Sequence, residues 1–202
     1  MTKIIETHGL QLKVDHEVYT PREDSFLISD MLQTEEFSRE LFMEIGTGSG
    51  IVSLSVGYPD STVICTDINY AAARQTHENA RYNGFDAVLV VCTDGTTPFR
   101  RGAIPSTVIF NPPYLPEDPE IDPYSPTYEN QQLVGGKQGY ETINTVLDGI
   151  QNEAEVVYTI ISSLATNPVE YANMHEEWRT RVLKAENMGF ETIWLLKMEF
   201  EH

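Results

Sequence analysis

Apolar residues in this chain fall into short blocks, and their spacing switches between the two-residue period of a strand and the near-four period of a helix. Ile4–Val18 alternates apolar and polar positions around Gly9, which predicts a small hairpin. Thr20-Pro21 is a helix-start signal, and Phe26, Leu27, Met31 and Leu32 mark an apolar face at helical spacing. Strands and helices then alternate. Leu41–Ile45 reads as a strand running into a glycine-rich turn, Ile51–Val56 as a short helix, and Thr62–Thr66 as a second strand. Ala71–Tyr82 reads as a helix ended by Asn83-Gly84, and Ala87–Cys92 and Thr107–Phe110 as two more strands. Residues 115–134 show no period and are rich in Pro, Asp, Glu and Tyr, which marks a long substrate-side loop. Gly139–Gln151 then predicts a helix, Val156–Ser162 a strand, Val169–Asn187 a long helix and Thr192–Phe200 a last strand. The alternation predicts an α/β fold: a Rossmann-like, mainly parallel twisted sheet with helices on both faces, preceded by a hairpin extension over residues 1–20. The 202 residues fit one domain.

Composition narrows this picture. Hydrophobic residues make up 41% and charged residues 22%, as in a globular chain. No apolar run approaches the roughly 20 residues that span a bilayer, and Met1–Leu12 lacks the pattern of a secretory signal, so the chain reads as soluble and cytoplasmic with no membrane role. Cys65 and Cys92 each lie in an apolar strand-like run and read as small core residues. His8, His16, His77, His175 and His202 are scattered and read as surface or helix residues; no cluster has metal-ligand spacing. The net charge of −18 leaves few cations to neutralise phosphates, which disfavours nucleic acid and favours a basic protein as substrate.

Candidate chemistry gathers at the strand ends, where open α/β sheets bind ligands. The first parallel strand ends in Glu44-Ile45-Gly46-Thr47-Gly48-Ser49-Gly50. Glycines permit a sharp turn and close approach of a ligand, and the helix that follows offers free amides. A nicotinamide-binding domain carries a similar loop, and a plain tight turn is the bland alternative. Glu44 discriminates, because a carboxylate there would repel a pyrophosphate but could accept from the ammonium of an amino-acid cofactor. Gly46, Thr47, Gly48 and Gly50 are the candidate loop contacts. Asp67, 23 residues after Glu44, could accept both ribose hydroxyls, with Ile68 beside it; alternatively it caps the next helix, a role Asn69 could equally fill. Asp94-Gly95, after the third strand, could meet an adenine amine or merely form a turn. The three acids together outline a site for an adenosine with a cationic amino-acid tail, S-adenosylmethionine.

The fourth strand runs into Asn111-Pro112-Pro113-Tyr114. Two prolines fix their own φ angles and restrict the residues before them, so the loop is stiff. It aims the Asn111 side chain and the Pro112 carbonyl as two acceptors in fixed relation. A primary amide or arylamine offers two N–H donors in one plane, so the pair selects a planar NH₂ group. Tyr114 could stack on the flat substrate. The chemistry would be displacement at a sulfonium methyl, helped by positioning and preorganised acceptors, with no metal required.

These residues resemble the HemK family of glutamine N5-methyltransferases, class I S-adenosylmethionine-dependent enzymes. The match is closest to the short archaeal and eukaryotic branch, which lacks the helical N-terminal domain of the bacterial enzymes. It extends from about Val18 to the last strand. Tyr19-Thr20-Pro21-Arg22-Glu23-Asp24-Ser25, Glu44–Gly50, Cys65–Asn69, Asn111–Tyr114 and Gly135-Gly136-Lys137-Gln138-Gly139 carry it. Arg22 stands where that branch often has a small residue. The resemblance implies that Ser25, Glu44, Gly46, Asp67, Asp94, Gly95 and Asn111 meet or border the cofactor, and that Asn111, Pro112 and Tyr114 hold the target glutamine. It implies the glutamine of the Gly-Gly-Gln loop of a class I release factor as substrate, and a small zinc-ribbon activator protein as partner. The family ends in a strand hairpin; Thr192–Phe200 reads as its first strand, so the hairpin is expected to be cut short. An adenine N6-methyltransferase, which shares the Asn-Pro-Pro-Tyr loop, and a non-catalytic cofactor-binding subunit are the competing readings.

Overall fold

The computed structural model describes residues 2–117 and 132–201, so most of the predicted 115–134 loop lies outside the described residues. Strands β1 (Lys3–Thr7) and β2 (Leu10–Val14) form the expected hairpin around a two-residue turn at His8-Gly9. Leu10, Leu12 and Val14, at alternate positions, are buried. The outer edge of β2 meets helix α3 (Tyr70–Tyr82) instead of another strand. Asn83, Asn79 and Gln75, four residues apart, accept from the amides of Gln11 (2.9 Å), Lys13 (2.9 Å) and Asp15 (2.6 Å). Asn79 and Asn83 donate back to the Lys13 and Gln11 carbonyls at 2.9 and 3.0 Å. The amide side chains thus satisfy a strand edge that would otherwise be open.

The main sheet contains β3 (Leu41–Ile45), β4 (Thr62–Asp67), β5 (Val88–Cys92), β6 (Thr107–Phe110), β7 (Val156–Ser162), β8 (Trp178–Asn187) and β9 (Thr192–Phe200), in the order β5-β4-β3-β6-β7-β9-β8. β3 to β7 run parallel; β9 is antiparallel to both β7 and β8. Alternate strand residues feed two cores. On one face Phe42, Val63, Cys65, Ile109 and Tyr158 pack with α1 (Glu23–Thr34) and α2 (Ile51–Val56). On the other, Met43, Ile45, Val108, Phe110 and Val157 pack with Ile143, Leu147 and Ile150 of α4 (Glu141–Ile150) and Tyr171 of α5 (Pro168–Met174). The expected sheet with helices on both faces is therefore present.

The long helix expected over Val169–Asn187 is a correction. Asn167 caps the amides of Val169 and Glu170 and Pro168 starts the turn, but α5 stops at Met174. Trp178 then enters the core and packs edge-on against Phe200 with centroids 5.0 Å apart, and β9 supplies a ladder partner through Asn187. Leu, Lys, Ala and Glu at 183–186 favour a helix locally, and a register shift between Val182 and Lys184 breaks the strand alternation that would have revealed β8. The terminal hairpin is accordingly complete, with Thr192–Phe200 as its second strand. Two smaller corrections follow. Cys92 is exposed, on edge strand β5, whereas Cys65 is buried. His175 is buried, with its ring nitrogen 3.0 Å from Asn144 Oδ1.

Candidate active site

β3 and β6 are neighbours whose onward connections leave in opposite directions across the sheet, to β4 and to β7. A cavity of about 380 Å³ opens at their carboxyl ends, within the range of small-ligand sites. Ser25, Glu44, Gly46, Thr47, Gly48, Asp67, Ile68, Asn111, Pro112 and Pro113 all line it, so most of the predicted residues converge.

The glycine loop is held by its own hydrogen bonds. The Gly46 and Thr47 amides donate to the Thr66 carbonyl at 2.8 and 3.0 Å. Glu44 Oε2 accepts from the Thr47 hydroxyl and the Ser53 amide, both at 3.0 Å. Ser53 lies in the first turn of α2, whose N-cap is Gly50, so Glu44 supplies the capping acceptor that glycine lacks. Gly50 stands behind the cavity in this capping position. Burial pushes the Glu44 carboxyl up to about 7, against the bonds from Ser53 and Thr47. Asp67 accepts at Oδ2 from the Gly48 amide and at Oδ1 from the Asn69 amide, both at 2.8 Å, which leaves lone pairs on each oxygen. Burial raises the Asp67 carboxyl above its ordinary range. Asn69, not Asp67, caps α3, accepting from Ala71 at 2.9 Å. Ser49 Oγ is buried without a partner on the cavity wall.

The opposite wall joins the loop after β6 to the start of α1. Asn111 Nδ2 donates to Asp24 Oδ2 at 3.1 Å and lies 3.5 Å from Ser25 Oγ. A carboxylate can only accept here, so the amide nitrogen must face Asp24, and Asn111 Oδ1 is the atom left over. It is buried without a hydrogen-bond partner. Asp24 also accepts from the Ser25 amide at 2.7 Å and from the Tyr19 hydroxyl at 3.2 and 3.1 Å. Burial, then the Asp24 charge, raise the Tyr19 phenol far above its usual range, so it remains a donor.

Three predicted residues fall elsewhere. Tyr114 is buried in the core cluster and does not line the cavity; Pro113 does. Burial, then the Asp24 charge, raise the Tyr114 phenol above its ordinary range, and its hydroxyl also hydrogen-bonds Asp24. Asp94 and Gly95 form a turn after β5 outside the cavity, with the Asp94 carbonyl accepting from Thr97 at 3.2 Å. Asp24, Tyr19 and Ser49 lie in motifs that carry the resemblance, but the sequence assigned them no role. Asp24 had a legible signal: an acid three residues before Leu27 and four before Ile28, on the apolar face of a helix.

The Gly135–Gly139 segment acts through backbone packing. The Leu115 amide donates to Leu133 O at 2.8 Å and Gly135 donates to Leu115 O at 2.9 Å, joining the returning chain to the loop after β6. A Cβ on Gly135 would sit 2.3 Å from the Pro113 carbonyl oxygen, and one on Gly139 2.8 Å from that of Tyr114. No other residue permits this approach.

Residues 23–121 match the family model described as Methyltransferase small domain. The chain is 33% identical over 172 residues to a putative protein N5-glutamine methyltransferase of Methanocaldococcus jannaschii, covering 80% of each sequence. It is 30% identical over 168 residues to the eRF1 methyltransferase catalytic subunit mtq2 of Schizosaccharomyces pombe, covering 72% of this chain and 71% of that one. Among solved structures, the E. cuniculi Mtq2–Trm112 complex, responsible for methylation of the eRF1 translation termination factor, includes a chain that superposes with a TM-score of 0.70 at 22% identity. That superposition covers 92% of this chain and 99% of that chain, and it shows a shared fold.

Proposed function

The chain belongs to the protein N5-glutamine methyltransferase family, and we propose from that premise that it methylates the side-chain amide nitrogen of the glutamine in the Gly-Gly-Gln loop of a class I peptide-chain release factor. The observation that carries this reading is Asn111 Oδ1, a buried acceptor without a partner, on a residue that lines the cavity beside Pro112. Such an atom costs about 1–3 kcal/mol unless a donor arrives. A primary amide brings one donor to Asn111 Oδ1 and a second to the Pro112 carbonyl.

When bound, S-adenosylmethionine supplies an electrophilic methyl group on a positively charged sulfur. The donor set of the cavity fits it. Asp67 keeps free lone pairs for the ribose hydroxyls, Glu44 Oε1 remains for the ammonium, and the partnerless Ser49 hydroxyl can donate to the carboxylate. Asn111 and Pro112 hold the amide flat, draw electron density onto its nitrogen and stabilise the positive charge that grows there. The nitrogen then sheds a proton to solvent and returns to a neutral amide. Tyr114 fixes the loop from behind.

Release factor is the protein substrate in this reading, and the cytoplasm, where translation ends, is its place. A small activator subunit fits the free side of edge strand β5, where Leu89 is 58% exposed. No helix among the described residues is long and apolar enough to cross a membrane. The test offers the protein, with and without activator, labelled cofactor together with release factor or with nucleic acid. One methyl on the Gly-Gly-Gln glutamine by mass spectrometry is the expected result; label on adenine alone would replace this reading by the adenine N6 one.

A further inference from the structure

Asp24 is 3% exposed, and the donors that meet its carboxylate are neutral: the Tyr19 hydroxyl, the Ser25 amide and hydroxyl, the Asn111 amide and the Tyr114 hydroxyl. Among the described residues no lysine or arginine forms an ion pair with it. A buried carboxylate without a cation is costly to fold, and cores ordinarily replace it with an apolar residue. This one stands on the apolar face of α1, between Tyr19 of the N-terminal segment and Asn111 of the loop after β6, and it touches the cavity. We infer that Asp24 is a positioning residue for methyl transfer, setting the Asn111 side chain so that Oδ1, never Nδ2, meets the substrate amide. The inference rests on the glutamine reading of the site.

Two physical effects follow from the geometry. The first is orientation. An asparagine amide is nearly symmetric in shape, so packing alone sets its two ends poorly. An acceptor-only carboxylate 3.1 Å from Nδ2 sets them, because the flipped amide would place oxygen against oxygen. The second is polarisation. A charged acceptor on Nδ2 shifts electron density through the amide onto Oδ1, and linked hydrogen bonds strengthen one another in a medium of low dielectric. Oδ1 is thereby a better acceptor as positive charge develops on the attacking nitrogen. No proton passes through Asp24. The carboxylate is itself held by Tyr19, so the Tyr-x-Pro-x-Glu-Asp-Ser segment and the Asn-Pro-Pro-Tyr loop form one unit.

The test is a double-variant cycle on Asp24→Asn and Asn111→Ala, made in the full chain with whatever activator the wild type requires. Transfer to release factor is read under single-turnover conditions by mass spectrometry, with cofactor affinity and melting temperature in parallel. Asp24→Asn keeps the shape but lets the pair of amides flip. It is expected to lower the single-turnover rate constant about 10²-fold with a much smaller change in the enzyme concentration that half-saturates that rate and in cofactor affinity. In the Asn111→Ala background it should change the rate less than about twofold, because the residue it acts through is gone. Independent, multiplying effects of the two substitutions would overturn the inference, as would a loss that tracks melting temperature alone. A wild type that does not methylate release factor would instead strike the functional reading beneath it.

Discussion

In the glycine loop after β3 the polar groups largely answer one another: Gly46 and Thr47 on Thr66, Gly48 on Asp67, and Thr47 and Ser53 on Glu44. In the loop after β6 the donor end of Asn111 is tied to Asp24 while its acceptor end has nothing. The difference separates two ways of preparing a site. The first loop is a scaffold that holds its shape before any ligand arrives, with spare lone pairs and the partnerless Ser49 hydroxyl left to meet a ligand. The second keeps one desolvated atom waiting for a particular donor. Substitutions in the first should therefore act on cofactor affinity, and in the second on the rate of transfer.

Asn111→Ala tests the contrast most severely. It should slow transfer about 10³-fold, the scale of one lost preorganised group, while cofactor affinity moves only a few-fold. Turnover by mass spectrometry beside calorimetry of cofactor binding separates the two. Unchanged turnover would mean that the orphan oxygen holds nothing.

Gly135→Ala asks whether the second loop is rigid through its backbone. The new Cβ would lie 2.3 Å from Pro113 O and 2.5 Å from Gly139 O, with no flexible side chain to give way. A loss of about 3 kcal/mol of stability is expected by denaturant titration, with transfer reduced beyond what unfolding explains. A variant as stable as the parent would show that the loop can move aside.

Legibility in the sequence follows the same division. Glu44, Gly46, Gly48 and Asp67 were picked out because strand-end acids and glycines recur at spacings with a direct physical meaning, and all four line the cavity. Asp94-Gly95 is less clear, since Asp-Gly also forms an ordinary turn, as it does here, and neither residue lines the cavity. Asn111 and Pro112, named from the stiff proline loop, line the cavity; Asp24 announced itself only as an acid on an apolar helix face, and its partner lies 87 residues away. Tyr114 was expected to stack on the substrate because it follows the prolines, whereas the fold buries it in the core cluster. The parallel sheet was legible from runs of buried residues. Strand β8 was not, because an exposed edge strand with a bulge carries no clean period, and only pairing with β9 reveals it.

Asp67→Ala should act on affinity alone. It removes the acceptors for the Gly48 and Asn69 amides and, on the proposed cofactor reading, for the ribose, for about 2 kcal/mol or roughly 30-fold in cofactor Kd. At saturating cofactor kcat should stay within a few-fold of the parent. A kcat collapse with normal affinity would erase the division of labour between the loops.

The smallest effect concerns Glu44 and follows from its burial. In the free protein its carboxyl is raised from 4.5 to about 7, so the folded state holds a proton that the unfolded chain has released. The sign is then fixed: stability is lost as pH rises from 4.5 to about 7, and no further cost is added above that window. A cofactor ammonium beside Oε1 reverses the penalty, because it favours the ionised form. Cofactor affinity should accordingly climb, by at most about tenfold per pH unit, as pH rises toward 7, and fall again above about 8 as an α-amino group loses its proton. Glu44→Gln should keep the falling limb and lose the rising one, since its amide does not titrate. Calorimetry across this range on both proteins decides the matter. Parallel profiles would mean that Glu44 serves only to cap α2, through Ser53, and that the ammonium is received elsewhere.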